Sequence, residues 1–195
     1  MDALNVFTGT VLPLPARNIN NDVVVPGRFL KMVDRDEARL RLALFHDWRF
    51  SPDGRLRPEF PMNRPEHQGA TLLLAGANFG CGSGREKAAW ALLAGGFRAV
   101  IAPSFAEIFR TNALNNGLLP AAVDERAAGA LLAAVTADPR VAVTIDLPAQ
   151  EVRWPGGAAG FPIDPFAKRC LVRGWDPLDY LLRQAAAITD FERRR

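Results

Sequence analysis

The chain has 195 residues, 49% hydrophobic and 23% charged, with a formal net charge of +3 and a pI near 9.3. This balance fits one packed domain over residues 1–195. It argues against a membrane-spanning helix, because no apolar run reaches the roughly 18 residues that one needs. The arginines are scattered, with Arg193-Arg194-Arg195 as the one dense run and no basic-aromatic motif, so nucleic acid is not an expected partner.

The first fourteen residues lack the basic-then-apolar order of a signal peptide, and a cytoplasmic protein is expected. Val6 to Leu14 reads as one short strand ending at Pro13 and Pro15. A polar cluster, Asn18 to Asp22, precedes the β-branched run Val23-Val24-Val25, which Pro26-Gly27 breaks. Asp36 to Trp48 reads as a helix. Ser51 to Gly69, rich in Pro, Gly and Arg, reads as a long irregular loop with few apolar anchors, of the kind that is functional or mobile.

Ala70 to Ala75 is a buried strand, Gly76 to Gly84 a glycine-rich turn, and Arg85 to Gly95 a helix stopped by Gly95-Gly96. Ala99 to Ala102 is a strand. Ser104, with Glu107 three residues on, predicts a capping box for a helix that stops near Asn115-Asn116-Gly117. Leu118-Leu119 opens another strand, Asp124 to Ala137 is a helix, and Val141 to Ile145 with Glu151 to Trp154 read as a strand pair. Pro165 to Arg173 and Pro177 to Ala187 are helices. Alternation of strand and helix over 70–145 defines the class as α/β.

Cys81 and Cys170 have no CxxC context and no neighbouring His. Two thiols cannot hold a four-iron cluster, which takes three or four, so no metal site is expected in this chain.

The densest chemical signal is Gly76-Ala77-Asn78-Phe79-Gly80-Cys81-Gly82-Ser83-Gly84-Arg85-Glu86-Lys87. An apolar strand enters a turn with glycines at 80, 82 and 84 and then a helix, whose unpaired first-turn N–H groups and dipole favour an anion. Ser83, at or just before the helix start, can cap it or face a bound carboxylate. Arg85 can reach the same anion as a two-pronged donor. A Rossmann fingerprint needs glycine where Arg85 stands, a P-loop needs Gly-Lys-Ser/Thr, and no Gly-x-Ser-x-Gly elbow surrounds Ser83. An anionic small molecule is the ligand class that fits.

The stretch Asn78-Phe79-Gly80-Cys81-Gly82-Ser83-x-Arg85-Glu86 resembles the signature of the 3-isopropylmalate dehydratase small-subunit family. So do the run from Gly96 to Phe109, the word Asn116-Gly117-Leu118-Leu119-Pro120, Phe29-Leu30-Lys31 after Pro26, and Ile163-Asp164-Pro165-Phe166. The resemblance covers nearly the whole chain. It implies the swivelling β/β/α domain of the aconitase superfamily. It implies a large-subunit partner, in a heterodimer or higher assembly, that carries a 4Fe-4S cluster, while this chain carries no cofactor. It implies a hydro-lyase acting on a small di- or tricarboxylate in leucine biosynthesis. Ser83 would be the catalytic base. Arg85, Gly82, Gly84 and Lys31 would bind substrate, with residues 27–32 near its tail.

This sequence departs from the family words at Gly84, where a second serine is usual, at Lys87, where histidine is usual, and at Asn20-Asn21-Asp22, where Asp-Thr-Asp is usual. Those departures point to another substituted malate as substrate, or to a non-catalytic paralogue. Gly84 leaves the space of the usual hydroxyl open for water or substrate. Lys87 is either a surface residue or a residue at the pocket edge.

Overall fold

The computed structural model describes residues 1–31 and 35–194. The strands are β1 (Val6–Gly9), β2 (Val11–Leu14), β3 (Leu72–Ala75), β4 (Ala99–Ala102), β5 (Leu119–Ala122), β6 (Val143–Asp146), β7 (Glu151–Trp154) and β8 (Gly157–Gly160). The helices are α1 (Asn21–Val24), α2 (Glu37–Ala43), α3 (His46–Arg49), α4 (Glu86–Ala94), α5 (Glu107–Asn116), α6 (Glu125–Ala137), α7 (Pro165–Arg173), α8 (Pro177–Arg183) and α9 (Ala185–Arg193).

Strands β2-β3-β4-β5 form a parallel sheet and β1-β6-β7-β8 an antiparallel one. The parallel strands read as continuous apolar runs because both faces are covered. Leu12, Leu14, Leu73, Ala75, Val100 and Ala102 point to one face, against Leu40 and Ala43 of α2, Ala88 to Leu92 of α4, and Phe109 and Ala113 of α5. The alternate residues Val11, Leu72, Leu74, Ala99, Ile101, Leu119 and Ala121 point to the other, against Phe7, Val143, Ile145 and Val152 of the antiparallel sheet, with α6 and Leu171 of α7. The layers are therefore sheet, sheet and helices, the β/β/α order expected.

Several expectations fail locally. Val6 to Leu14 is two strands in different sheets, not one. At Gly9 the chain crosses so close to Thr71 that a Cβ would lie 1.9 Å from its Oγ1. Val23 and Val24 belong to a single helical turn, because Asn20 caps it, accepting from Val23 N at 2.8 Å. The helix expected over 36–48 is broken at Phe45, which sits at φ 49° with its ring buried against Trp48 and Phe60. The gain from burying an aromatic ring outweighs the cost of one left-handed residue.

Ser104 does not cap α5, whose cap residue is Ala106. Ser104 Oγ accepts instead from Asn78 N at 2.9 Å, and the Phe79–Phe105 bridge keeps the chain extended there. Strand β8, Gly-Ala-Ala-Gly, has no β-propensity to read. It forms because the Trp154 ring covers Gly157 across the Pro155-Gly156 turn. The helix expected over 177–187 is interrupted at Gln184, whose N–H tightens onto Leu181 O.

The segment 51–69 is irregular, as expected, with short 3-10 turns at Pro61–Asn63 and Pro65–His67. It is anchored more firmly than its composition suggests. Phe60 and His67 are buried, and Asn63 Nδ2 donates to Arg49 O and Arg57 O.

Candidate active site

The turn after β3 is built from both sides. Asn78, Gly80 and Gly82 adopt φ of 60°, 76° and 81°, which turns successive peptides in alternating directions. At Gly80 a Cβ would fall 2.2 Å from Phe109 Cγ, so the turn rests directly on α5. On the opposite side the 18–22 segment clamps it. Gly80 N donates to Ile19 O at 2.8 Å and Asn21 N to Cys81 O at 2.9 Å. The Asn21 side chain is buried, and its Nδ2 donates to Gly80 O (2.9 Å) and Ser83 O (2.6 Å). Two carbonyl acceptors fix the orientation of that amide.

This clamp delivers three side chains to one place. Ser83 Oγ donates to Asp22 Oδ1 at 3.1 Å. Arg85 Nη1 forms an ion pair with the same oxygen and donates to Val25 O at 3.3 Å. The other guanidinium N–H groups of Arg85 carry no partner among the described residues. Arg85 is the more sheltered of the pair, its side chain 24% exposed against 51% for Asp22.

Ser83 is not a helix cap. Arg85 holds the cap position of α4, no side chain caps that helix, and the Ser83 carbonyl accepts from Arg85 N at 2.8 Å. The first turn of α4 is closed by its own backbone, Ala88 N donating to Arg85 O at 3.1 Å, and the helix dipole points its positive end at this turn. Glu86, the acid of that turn, is engaged elsewhere, accepting from Asn116 Nδ2 at 2.8 Å.

Gly82 and Gly84 flank Ser83, both exposed. The space beside Gly84 is not open, contrary to the sequence reading. A Cβ there would lie 2.6 Å from Ile108 Cγ2, so the exposed Ile108 side chain occupies it. Lys87 is half-buried and its Nζ donates to Leu30 O, which sets aside the plain surface reading.

Lys31 is not brought to Ser83. It is exposed and lines a shallow depression with Arg28, Phe29, Arg39 and Leu42. Met32, the last of the residues expected near the substrate tail, lies outside the described residues.

Asn20, the departure expected to change the site, serves as the cap of α1, and Asn is as good a cap as Asp. Asp22 is the residue that sequence reasoning missed. Its signal was available, since it keeps the final acid of the Asp-Thr-Asp word.

The thiols stay apart. Cys81 Sγ donates to Asn18 O at 3.4 Å, and burial raises the Cys170 pKa. Among the described residues no three His, Cys, Asp or Glu side chains converge as a metal cradle. The donors present do not fit an iron–sulfur cluster.

A serine, a carboxylate and a guanidinium thus meet at the start of α4, on a β/β/α frame. The sequence model of the family described as Aconitase C-terminal domain matches residues 1–126, and a second, described as LeuD_N, matches residues 130–165. The 3-isopropylmalate dehydratase small subunit of Roseiflexus sp. (strain RS-1) is 50% identical over 196 residues, covering 100% of this chain and 95% of that protein. That of Anaeromyxobacter sp. (strain K) is 48% identical over 193 residues, covering 98% of each. A crystal structure of 3-isopropylmalate dehydratase (leuD) from Methanocaldococcus jannaschii superposes with a TM-score of 0.68 at 25% identity, covering 95% of this chain and 98% of that one. The chain belongs to the 3-isopropylmalate dehydratase small-subunit family.

Proposed function

We propose that this chain is the small subunit of a two-chain hydro-lyase that interconverts 2- and 3-isopropylmalate by dehydration and rehydration, a step of leucine biosynthesis. In this reading residues 1–195 act as one domain that closes over a large subunit in the cytoplasm. The 4Fe-4S cluster belongs to that large subunit. The observation that carries the reading is the meeting of Ser83 Oγ and Arg85 Nη1 on Asp22 at the start of α4.

Dehydration removes a proton α to a carboxylate, and the carboxylates must be held by cations while it leaves. Ser83 takes the proton as an alkoxide, its own hydroxyl proton having passed to Asp22, the carboxylate to which it donates. The alkoxide is stabilised by the Arg85 charge, which meets the same Asp22 oxygen, and by the positive end of the α4 dipole. Asp22 accepts the hydroxyl hydrogen bond of Ser83, which fixes the rotor and raises electron density on Oγ. Arg85 binds a carboxylate through its unpartnered N–H groups, and Gly82 lets the ligand approach the backbone, while at Gly84 that approach requires the Ile108 side chain to move aside. Lys31 joins them only if the chain around it moves toward the site on closure.

A second reading, the same chemistry on another substituted malate such as a citraconate, dimethylmalate or homocitrate type, is favoured by one observation. Apolar Ile108 fills the place beside Gly84. Anaerobic reconstitution with the cognate large subunit, assayed on a panel of substituted malates, tests both. Turnover led by 3-isopropylmalate supports the first. A different preferred malate supports the second. No turnover from a correctly assembled, cluster-loaded pair overturns both in favour of a non-catalytic subunit.

A further inference from the structure

Residues 25–31 form a strap across the start of α4, and two cations from that helix region hold its ends. Arg85 Nη1 donates to Val25 O at 3.3 Å, and Lys87 Nζ donates to Leu30 O. Between these points a 3-10 turn, Gly27–Phe29, is closed by Phe29 N to Pro26 O (2.9 Å) and Leu30 N to Gly27 O (3.1 Å). Gly27 lies over the Arg85 fork, and a Cβ there would sit 3.9 Å from Nη1 and 4.0 Å from Nη2. On its outer side the strap is tied by the Arg28–Asp47 ion pair and by the Phe29 ring, 4.9 Å from that of His46. The outer ties bind the strap to α3. The Lys87 bond binds it to the helix that begins beside Ser83.

We propose that Lys87 is a positioning residue for the Ser83–Arg85 site. By gripping the Leu30 carbonyl it keeps the strap seated on the Arg85 guanidinium. That holds the fork beside Asp22 and Ser83, where a substrate carboxylate docks. The inference rests on the proposed roles of Ser83 and Arg85. The physical link is the strap itself. The Val25 carbonyl that orients Arg85 lies five residues from the carbonyl that Lys87 holds. A strap released at Leu30 therefore loosens the contact that aims the guanidinium. Arg85 binds a carboxylate that persists from ground state to transition state, so its misalignment shows chiefly in KM.

The test compares Lys87→Met, which keeps the length and apolar stem but removes the donor, with Lys87→Arg, which restores a cationic donor. In the enzyme reconstituted with its large subunit, Lys87→Met should raise KM about tenfold with kcat within about threefold, a loss near 1.4 kcal/mol. Lys87→Arg should return KM to within about threefold of the starting value. In the isolated chain, hydrogen exchange at the Phe29 and Leu30 amides should speed up about tenfold in Lys87→Met while β3 and β4 stay unchanged. Unchanged KM and unchanged exchange at residues 29–30 would overturn the proposal. So would exchange that rises equally in β3 and β4, which marks general destabilisation. Ser83→Ala is run alongside. Full turnover in that variant removes the assigned site, while the exchange measurement still decides whether Lys87 seats the strap.

Discussion

A serine hydroxyl becomes a base only where its surroundings stabilise the alkoxide, and those surroundings set the expected sizes of single substitutions. Ser83 Oγ makes one hydrogen bond, to Asp22, and caps no helix. Ser83→Ala should therefore lower kcat of the reconstituted enzyme by about 10²–10⁴. Its thermal midpoint should be almost unmoved, because no cap is lost. A stability loss comparable to that of a removed cap, with normal turnover, would reduce Ser83 to a structural role. Asp22→Asn keeps an acceptor oxygen near Ser83 but removes the charge that Arg85 and the hydroxyl share. It should lower kcat by roughly tenfold or more, since charge-assisted bonds are about twice as strong as neutral ones. Unchanged kcat would leave Asp22 as a partner of Arg85 alone.

At the level of elements, the active turn depends on the 18–22 segment more than on its own helix. Asn21→Asp replaces an amide that feeds two carbonyls with a carboxylate that would repel both. The variant should lose at least about 2 kcal/mol of stability, read as a lower urea midpoint at unchanged slope. A midpoint within error of the parent would show that the turn holds without the clamp. The sequence made β3, β4, α4, α6 and α7 legible, because apolar runs, the Asp caps of α6 and α7 and the glycines at 95 and 174 mark their ends locally. Ser83 and Arg85 were legible through the glycine-rich word. What stayed hidden depends on distant residues. Phe45 breaks a helix to reach the Trp48 and Phe60 rings, Gly9 exists for Thr71, and Ser104 serves Asn78 rather than a helix end. Ile108 lies 24 residues beyond Gly84, so no local pattern announces that it fills the neighbouring space.

For the molecule as a whole, acid sensitivity should centre on His67. Burial lowers its pKa below the ordinary 6.5, and its Nδ1 has no partner among the described residues. The unfolded chain therefore takes up a proton that the folded chain resists. Stability is fully present above about 6.5 and is lost as pH falls from there toward the folded value. The thermal midpoint should drop between about pH 7.5 and 5.5, and His67→Gln should flatten that slope. An equal slope in the variant would assign the loss to other groups. The split at Gly9 also has a consequence for how the chain is made. Strand β1 pairs with β6, Val6 opposite Asp146, and Leu4 N bonds to Leu171 O at 2.9 Å. Strand β1 thus finds its partners only after every strand of the parallel sheet has been made. The parallel sheet and its helices can assemble during synthesis, while β1 waits for β6 and Leu4 for α7.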